Sequence, residues 1–427
     1  MSCARLYFIL LISVHQCIGA DSFAQISEVQ DSSCVEQDLK DVVLAWFGKT
    51  PREKGPDQGS ILVVPIVGSN PATGFMAGVG GQAAFKLLQS PSYSSVSGSF
   101  QLTTKRQMIV MLKNNLSMFG DRVKMTGDWR YLKFSQSTYG LGTSSPEGGL
   151  IDYQYHLAGV ETTLDSLAQP MKFNFARFHQ SISFHVFQVV YLGFGYDFDK
   201  YFNIQDEKLD LGPSDTLITS HFLYNLFFGF DTEAYTYSAL RLSLEYDTRD
   251  NIISPYRGMY VMAAWRAAYE FLGNPGKNHT FQAEYRSYHC LSRKNPSHLL
   301  AFWLMGDFSS TGKLPYLTLP ATAYDQRGRS ARGYTQGRFR GANLVYGEVE
   351  YRFPISKCSG ILGGVVFANV CSADNPLLSE NLFHTFRGGY GAGLRVKVDK
   401  ITRMNLAIDV AFGHRSFGFY LAATETF

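Results

Sequence analysis

The stretch RMNLAIDVAFG, residues 403–413, alternates strictly between two kinds of side chain. One set is apolar: Met404, Leu406, Ile408, Val410 and Phe412. The other set is polar or small: Arg403, Asn405, Ala407, Asp409 and Ala411. Successive side chains of a β-strand point to opposite faces, so this pattern predicts a strand with one face against apolar surroundings and the other against polar ones.

The same alternation recurs at 386–399, 239–250 and 123–131. It fits either a soluble antiparallel sheet on a core or a transmembrane β-barrel whose apolar face meets lipid. Runs of about ten residues match a tilted bilayer crossing, and charged rows opposite apolar rows suit a polar lumen. Aromatic residues near the predicted strand ends also suit interfacial girdles, namely Trp129, Tyr131, Tyr246 and Phe427. The sequence therefore favours an all-β, transmembrane antiparallel barrel.

Counting the alternating runs gives about sixteen strands, an even number as expected for a bacterial barrel. The runs lie near 73–87, 94–104, 106–118, 122–134, 149–160, 171–183, 186–199, 237–249, 258–270, 279–291, 298–309, 343–353, 361–371, 387–399, 402–413 and 416–427. This predicts a barrel domain over 70–427 with long loops at 135–150, 200–236 and 311–342.

The first 69 residues differ from the rest. Arg5, an apolar run and small residues before Ala20 are typical of a secretory signal peptide over 1–20. A membrane anchor is the alternative, but the apolar run is too short to span a bilayer. Residues 21–69 are predicted to be a short periplasmic leader with one amphipathic helix near 34–47, begun by a capping box from Ser33 to Glu36.

Composition excludes several functions. A net charge of +3, with 18% charged residues, argues against a nucleic-acid-binding protein. The histidines have neither metal-ligand nor nucleophile spacing, so we expect neither an enzyme nor a cofactor. Cys34, Cys290, Cys358 and Cys371 also lack metal-ligand spacing, and the sequence does not decide whether they form disulfides.

The segment ARGYTQGRFRGANLVYGEVEYRFPI, 331–355, resembles a signature of the BamA/TamA outer-membrane barrel superfamily, the bacterial surface antigen family. The resemblance implies that Arg332-Gly333-Tyr334 is the tip of a long extracellular loop tucked into the lumen. Strand parity independently places Glu348, Glu350 and Arg352 on one face, which would point inward. Arg332 would then either lock the loop or simply form a stabilising salt bridge. Arg338 and Arg340 would be solvated or lumen-facing charges.

Three more elements resemble that family. Asp247, Arg249, Asp250 and Gly258 lie in a segment similar to its strand–turn motif, GAGLR at 391–395 is similar to its glycine-rich strand, and the terminal Phe427 resembles a barrel insertion signal. One position departs from the pattern, because Asn369 stands where an aspartate partner for the loop arginine is expected. The resemblance would then leave Glu348 or Glu350 to bind that arginine.

The resemblance implies an outer-membrane location, with outer-membrane lipid and the barrel assembly machinery as partners and periplasmic or outer-membrane proteins as further candidates. Assembly and secretion members carry periplasmic POTRA domains, and the predicted leader is too short for one. Two functions stay open at this stage. One is assembly or translocation of outer-membrane proteins, and the other is a passive pore, an adhesin or a structural surface protein.

Overall fold

The computed structural model describes residues 36–49, 55, 59–70, 74–145, 150–151, 156–157, 160–161, 165–166, 168–212 and 217–427. Sixteen antiparallel strands form one sheet in which each strand pairs with its neighbour in sequence. They are β1 (Ser60–Asn70), β2 (Gly74–Phe85), β3 (Ser94–Thr103), β4 (Met108–Met118), β5 (Val123–Thr138), β6 (Gln169–Phe187), β7 (Val190–Asp206), β8 (Tyr235–Asp247), β9 (Gly258–Ala268), β10 (Asn278–Cys290), β11 (Leu299–Thr311), β12 (Asn343–Pro354), β13 (Leu362–Ala373), β14 (Arg387–Asp399), β15 (Met404–Gly413) and β16 (Ser416–Ala422).

The connections differ in length at the two ends of the sheet. The longest are 139–168, 207–234 and 312–342, and all three lie at one end, the loop end. The opposite end, the turn end, has shorter connections such as 119–122 and 188–189. Outer-membrane barrels combine long extracellular loops with short periplasmic turns, and this asymmetry follows the same pattern.

The sheet curves so that strands near its two edges contribute to one buried cluster. Ala84 of β2 packs with Met404 of β15 and with Ile253, in a small buried cluster at the turn end. Within the described residues, however, β1 and β16 are the two ends of the strand order, and each has a single ladder partner.

Along the strands, the pattern of buried and exposed side chains is that of a lipid-facing barrel. On β8, Leu240, Leu242 and Leu244 are exposed, whereas Ser243 and Glu245 are buried inside. On β15, Asp409 is fully buried and Phe412 is 42% exposed. Polar residues inside and apolar residues outside are what alternation predicts for a barrel with a polar lumen. No helix among the described residues is long and apolar enough to cross a bilayer.

Two α-helices accompany the sheet in the described part of the chain. Helix α1 spans Leu39–Trp46 and begins at Asp38, whose side chain forms a capping box with Asp41. The predicted start of this helix near residue 34 is wrong over the described residues, because residues 36–38 are not helical. Salt bridges from Lys397 to Glu36 and from Lys400 to Asp41 hold this segment at the turn end. Helix α2, Ser220–Phe228, lies within the loop 207–234.

Two strand predictions need correction. The sheet begins at Ser60, so β1 falls inside the predicted leader 21–69, and the boundary at 70 is ten residues too late. The predicted strand at 149–160 is not part of the sheet, because β5 pairs directly with β6, as in Leu132 with Phe175. The described part of that connection holds only two-residue strands.

The signal-peptide prediction and Cys34 lie outside the described residues. Cys290 and Cys371 are free thiols, and Cys358 is disulfide-bonded.

Candidate functional site

Residues 312–342 between β11 and β12, which we call the inward loop, fold back into the lumen. Arg130 of β5 donates from Nη2 to the carbonyl of Asp325 at 3.0 Å, and Arg177 of β6 donates from Nη1 to the carbonyl of Tyr324 at 3.2 Å. At its base, the backbone N–H of Tyr316 donates to Asn225 of α2 at 2.9 Å. The loop therefore crosses from β11 to the opposite wall of the sheet.

The tip of the inward loop lies flat against β14 and β15. Gly333 has φ +102°, and a Cβ at this residue would stand 2.7 Å from the carbonyl carbon of Phe412. Only glycine combines that φ with so close an approach of two backbones. The ring of Tyr334 covers Gly413, and its hydroxyl donates to the carbonyl of Gly388 at 2.7 Å. The glycines of β14 and β15 thus form the surface that receives the tip.

Arg332 is surrounded by carboxylates inside the lumen, with a fully buried side chain. Its Nη2 lies 2.5 Å from both Glu348 Oε1 and Glu350 Oε1. Its Nη1 donates to Asp409 Oδ2 at 2.7 Å, and its Nε donates to Glu348 Oε2 at 3.3 Å. Burial alone would lower the pKa of Arg332, but the three carboxylates together raise it above its ordinary value. The guanidinium is therefore charged and fully paired.

An aromatic ring and two further arginines hold Arg332 and its carboxylate partners in place. The guanidinium carbon of Arg332 lies 3.4 Å from the centre of the Phe367 ring. Behind it, Arg395 binds Asp409 at 2.5 Å, and Arg352 donates from Nε to Glu350 at 2.7 Å. Asp409 and Glu350 are thus oriented by arginines of the strands, so the site is preorganised for one guanidinium.

Asn369 binds the backbone of the loop rather than its charge. Its Nδ2 donates to the carbonyl of Arg332 at 3.0 Å, and it lies 3.5 Å from Glu348 Oε2. Glu348 and Glu350 both contact the guanidinium, as strand parity suggested. The sequence did not identify Asp409 as a partner, although the alternation of 403–413 had placed it on the polar face.

Replacing Asn369 by aspartate should therefore weaken the site. Asn369→Asp removes the only side-chain donor to the Arg332 carbonyl among the described residues and adds a fourth carboxylate beside Glu348. We expect a loss of about 1–3 kcal/mol, the cost of an unsatisfied buried group. Urea unfolding in detergent measures this loss of stability, and Asn369→Ser should give a smaller loss. A variant more stable than wild type would contradict this arrangement.

The other predicted loop arginines face the lumen. Arg340 is buried and donates from Nη1 to the carbonyls of Tyr316, Leu317 and Leu319 at 2.9–3.1 Å. Arg338 lies with its guanidinium carbon 4.8 Å from the centre of the Phe339 ring. Both residues support the loop from within.

The predicted strand–turn motif shapes the turn between β8 and β9. Arg249 forms a two-pronged salt bridge with Asp247, with Nε–Oδ1 at 2.9 Å and Nη2–Oδ2 at 3.0 Å. Asp250 accepts from Arg403 at 2.7 Å across the turn end. Gly258 has φ +97°, and a Cβ there would meet the Thr248 carbonyl oxygen at 2.2 Å. The motif therefore fixes the turn geometry.

Phe427 does not lie at a strand end on the outer face, where the sequence placed it. Strand β16 ends at Ala422, and Phe427 is buried 5.4 Å from the ring centre of Trp303. Arg352 donates to its carbonyl oxygen at 3.1 Å. The prediction of an interfacial girdle position is wrong for this residue, because the segment after β16 turns into the lumen. Its role in insertion stays a prediction.

Below the inward loop, the lumen keeps a cavity of about 160 Å³. Its wall carries both signs of charge, including Asp197, Asp199, Arg241, Arg266 and Glu284. Among the described residues, no group of three or more His, Cys, Asp or Glu side chains is arranged to hold a metal ion.

The sixteen-stranded antiparallel sheet has a polar interior, and the inward loop with its fully paired arginine fills that interior. This architecture is that of an outer-membrane-type β-barrel with an inward loop. The Omp85 superfamily domain matches residues 176–416, more than half of the chain. The chain belongs to the Omp85 superfamily, whose members are outer-membrane β-barrels. No curated protein matches it.

Solved structures similar to the chain include BamA and CdiB. One is BamA from Haemophilus ducreyi lacking POTRA domains 1–3, at 14% identity and a TM-score of 0.49, with 86% of this chain and 69% of that chain covered. The other is CdiB from Acinetobacter baumannii, at 12% identity and a TM-score of 0.46, with 83% of this chain and 56% of that chain covered.

Proposed function

We propose that this chain is an integral outer-membrane barrel, exported through a cleaved signal peptide, that takes part in the assembly or translocation of outer-membrane proteins. The observation that carries the proposal is the filled lumen. Porins with sixteen to eighteen strands leave an aqueous channel, whereas here the inward loop leaves a cavity of about 160 Å³. A plugged interior speaks against a wide passive pore.

The ends of the sheet support the same proposal. Strands β1 and β16 each have one ladder partner among the described residues, and β16 is only seven residues long. Unpaired strand edges offer backbone N–H and C=O groups to an incoming strand. In this proposal, a client polypeptide pairs there, while outer-membrane lipid and the barrel assembly machinery are the partners for the chain's own insertion.

Depletion in the native host tests the proposed function. We expect several other β-barrel proteins to fall in abundance in the outer-membrane fraction, because their insertion depends on this chain. Quantitative mass spectrometry of that fraction measures the loss, and re-expression of the wild-type gene should reverse it. Unchanged barrel abundance would refute the assembly role. A large, stable conductance of the purified protein in planar bilayers would instead favour a passive pore.

A further inference from the structure

Three arginines approach one another in the turn-end half of the lumen. Arg249 follows β8, Arg286 lies on β10, and Arg327 belongs to the inward loop. Arg249 and Arg286 both pack on Tyr260, with guanidinium carbons 4.6 and 4.8 Å from the centre of its ring. Arg286, Arg327 and Tyr260 line the lumen cavity. The ring of Tyr260 thus brings the guanidinium groups of Arg249 and Arg286 close together, beside that of Arg327.

These arginines keep unused hydrogen-bond donors. The side chain of Arg249 is only 4% exposed, and its Nη1 is buried without a hydrogen-bond partner. Arg286 uses Nε on Glu284 at 2.7 Å, and within the described part of the chain its two Nη atoms make no hydrogen bond. Arg327 has one long contact, 3.5 Å from Nη1 to the Thr426 carbonyl, and no salt bridge to any described residue.

The positive charges at this place also repel one another. Burial, together with the charges of Arg286 and Arg249, lowers the pKa of Arg327 to about 9, while Glu284 acts in the opposite direction. Asp247 is already shared between Arg249 and Lys124, which binds it at 2.8 Å. Glu245 and Asp325 are two further carboxylates that line the same cavity.

Glu245 and Asp325 both accept hydrogen bonds from groups outside the three arginine side chains. The Oε1 atom of Glu245 accepts from Ser183 at 2.6 Å, and its Oε2 lies 3.4 Å from the Tyr260 hydroxyl. The Asp325 carboxylate accepts from the backbone N–H groups of Arg327, Gly328 and Ser330 at 2.8–3.0 Å. A buried guanidinium nitrogen without a hydrogen-bond partner, such as Nη1 of Arg249, is costly, and a bound anion would supply that partner.

We propose that Arg249, Arg286 and Arg327 form a binding site for a phosphate group at the turn end of the lumen. Guanidinium groups match phosphate oxygens with paired, charge-assisted hydrogen bonds. The cavity volume corresponds to about five waters at roughly 30 Å³ each, which is enough room for a phosphate group. The group can come from a free or solute phosphate or from a phospholipid headgroup, since the contacts are the same. This site is independent of the proposed role in protein assembly.

The site is tested by titrating phosphate into the purified full chain, in an uncharged detergent at constant ionic strength. Calorimetry should give saturable binding of inorganic phosphate by the wild type, weakened about tenfold or more by Arg327→Gln. Arg327→Gln should fold normally, because the Arg327 side chain makes one long hydrogen bond to the described residues, and heat-modifiable migration on a gel verifies this. The matched control is Arg293→Gln, which removes an exposed arginine from the turn 291–298 and should bind like the wild type.

Native mass spectrometry with phosphatidylglycerol and phosphatidylcholine supplies the second arm. Retention of one phosphatidylglycerol by wild type but not by Arg327→Gln would identify a headgroup as the source, and loss of phosphate binding alone would identify a small anion. Either result supports the site. The proposal is overturned if the wild type binds neither probe saturably, or if Arg327→Gln binds both as tightly as the wild type does.

Discussion

Arg332→Ala should destabilise the protein by about 3–5 kcal/mol, the cost of removing one partner from a buried ion pair. The loss arises because Glu348, Glu350 and Asp409 would remain buried without their shared cation. We expect the barrel to stay inserted while the inward loop loosens. A lower temperature for the heat-modifiable gel shift and new protease cleavage within 312–342 measure the two effects.

Two comparisons isolate the charge network as the cause. Arg293→Ala removes an exposed arginine and should change stability by about 0–1 kcal/mol. The pair Arg332→Ala and Glu348→Gln should cost less together than the sum of the two single variants, because the second removes a carboxylate that the first leaves unpaired. Wild-type stability and protease resistance in Arg332→Ala would show that Arg332 does not hold the loop.

Gly333→Ala should cost about 3 kcal/mol, near the upper limit for backbone strain at a single residue. The new Cβ would meet the Phe412 carbonyl group at 2.7–2.8 Å and the Gly413 nitrogen at 2.9 Å, at a φ of +102°. The tip would have to lift from β15, which also moves Tyr334 from its place on Gly413. Urea unfolding and protease access to the loop report this change.

Gly328→Ala is the matched control in the same loop. Gly328 also has a positive φ, +69°, but the nearest atom to its added Cβ is the Ala323 carbonyl oxygen at 3.7 Å. It should therefore cost only about 1–2 kcal/mol, the ordinary penalty for a left-handed residue. Equal effects of the two variants would mean that the close approach of Gly333 to β15 does not exist.

Much of the fold followed from alternation, since lipid and lumen impose opposite demands on the two faces of a strand. The run 387–399 is observed with those bounds as β14, and 402–413 differs from β15 by two residues. Strand β1 escaped detection because SILVVPIVGSN is apolar on both faces and contains Pro65. Proline suits a strand at the edge of a sheet, where an N–H is not needed.

The opposite error arose at 149–160, where local alternation exists but no place in the sheet is free. Sequence periodicity cannot report that β5 and β6 pair directly. The total of sixteen strands agrees because one missed strand and one excess strand compensate each other.

Two of the three carboxylates around Arg332 could be foreseen from strand parity, which placed Glu348 and Glu350 on one face of β12. The partner on β15, Asp409, could not be selected from sequence, because it is 77 residues away and its approach depends on the register across three strand pairs. The stacking of Phe367 on the guanidinium group depends on the same register.

The central claim is that the tip of the inward loop lies inside the lumen against β14 and β15. Photo-cross-linking in intact cells, with p-benzoylphenylalanine in place of Tyr334, tests it most directly. The Tyr334 hydroxyl lies 2.7 Å from the Gly388 carbonyl and its ring covers Gly413, so cross-linked peptides from 387–413 of the same chain are predicted. Cross-links to other proteins at the cell surface, without any to 387–413, would contradict the account.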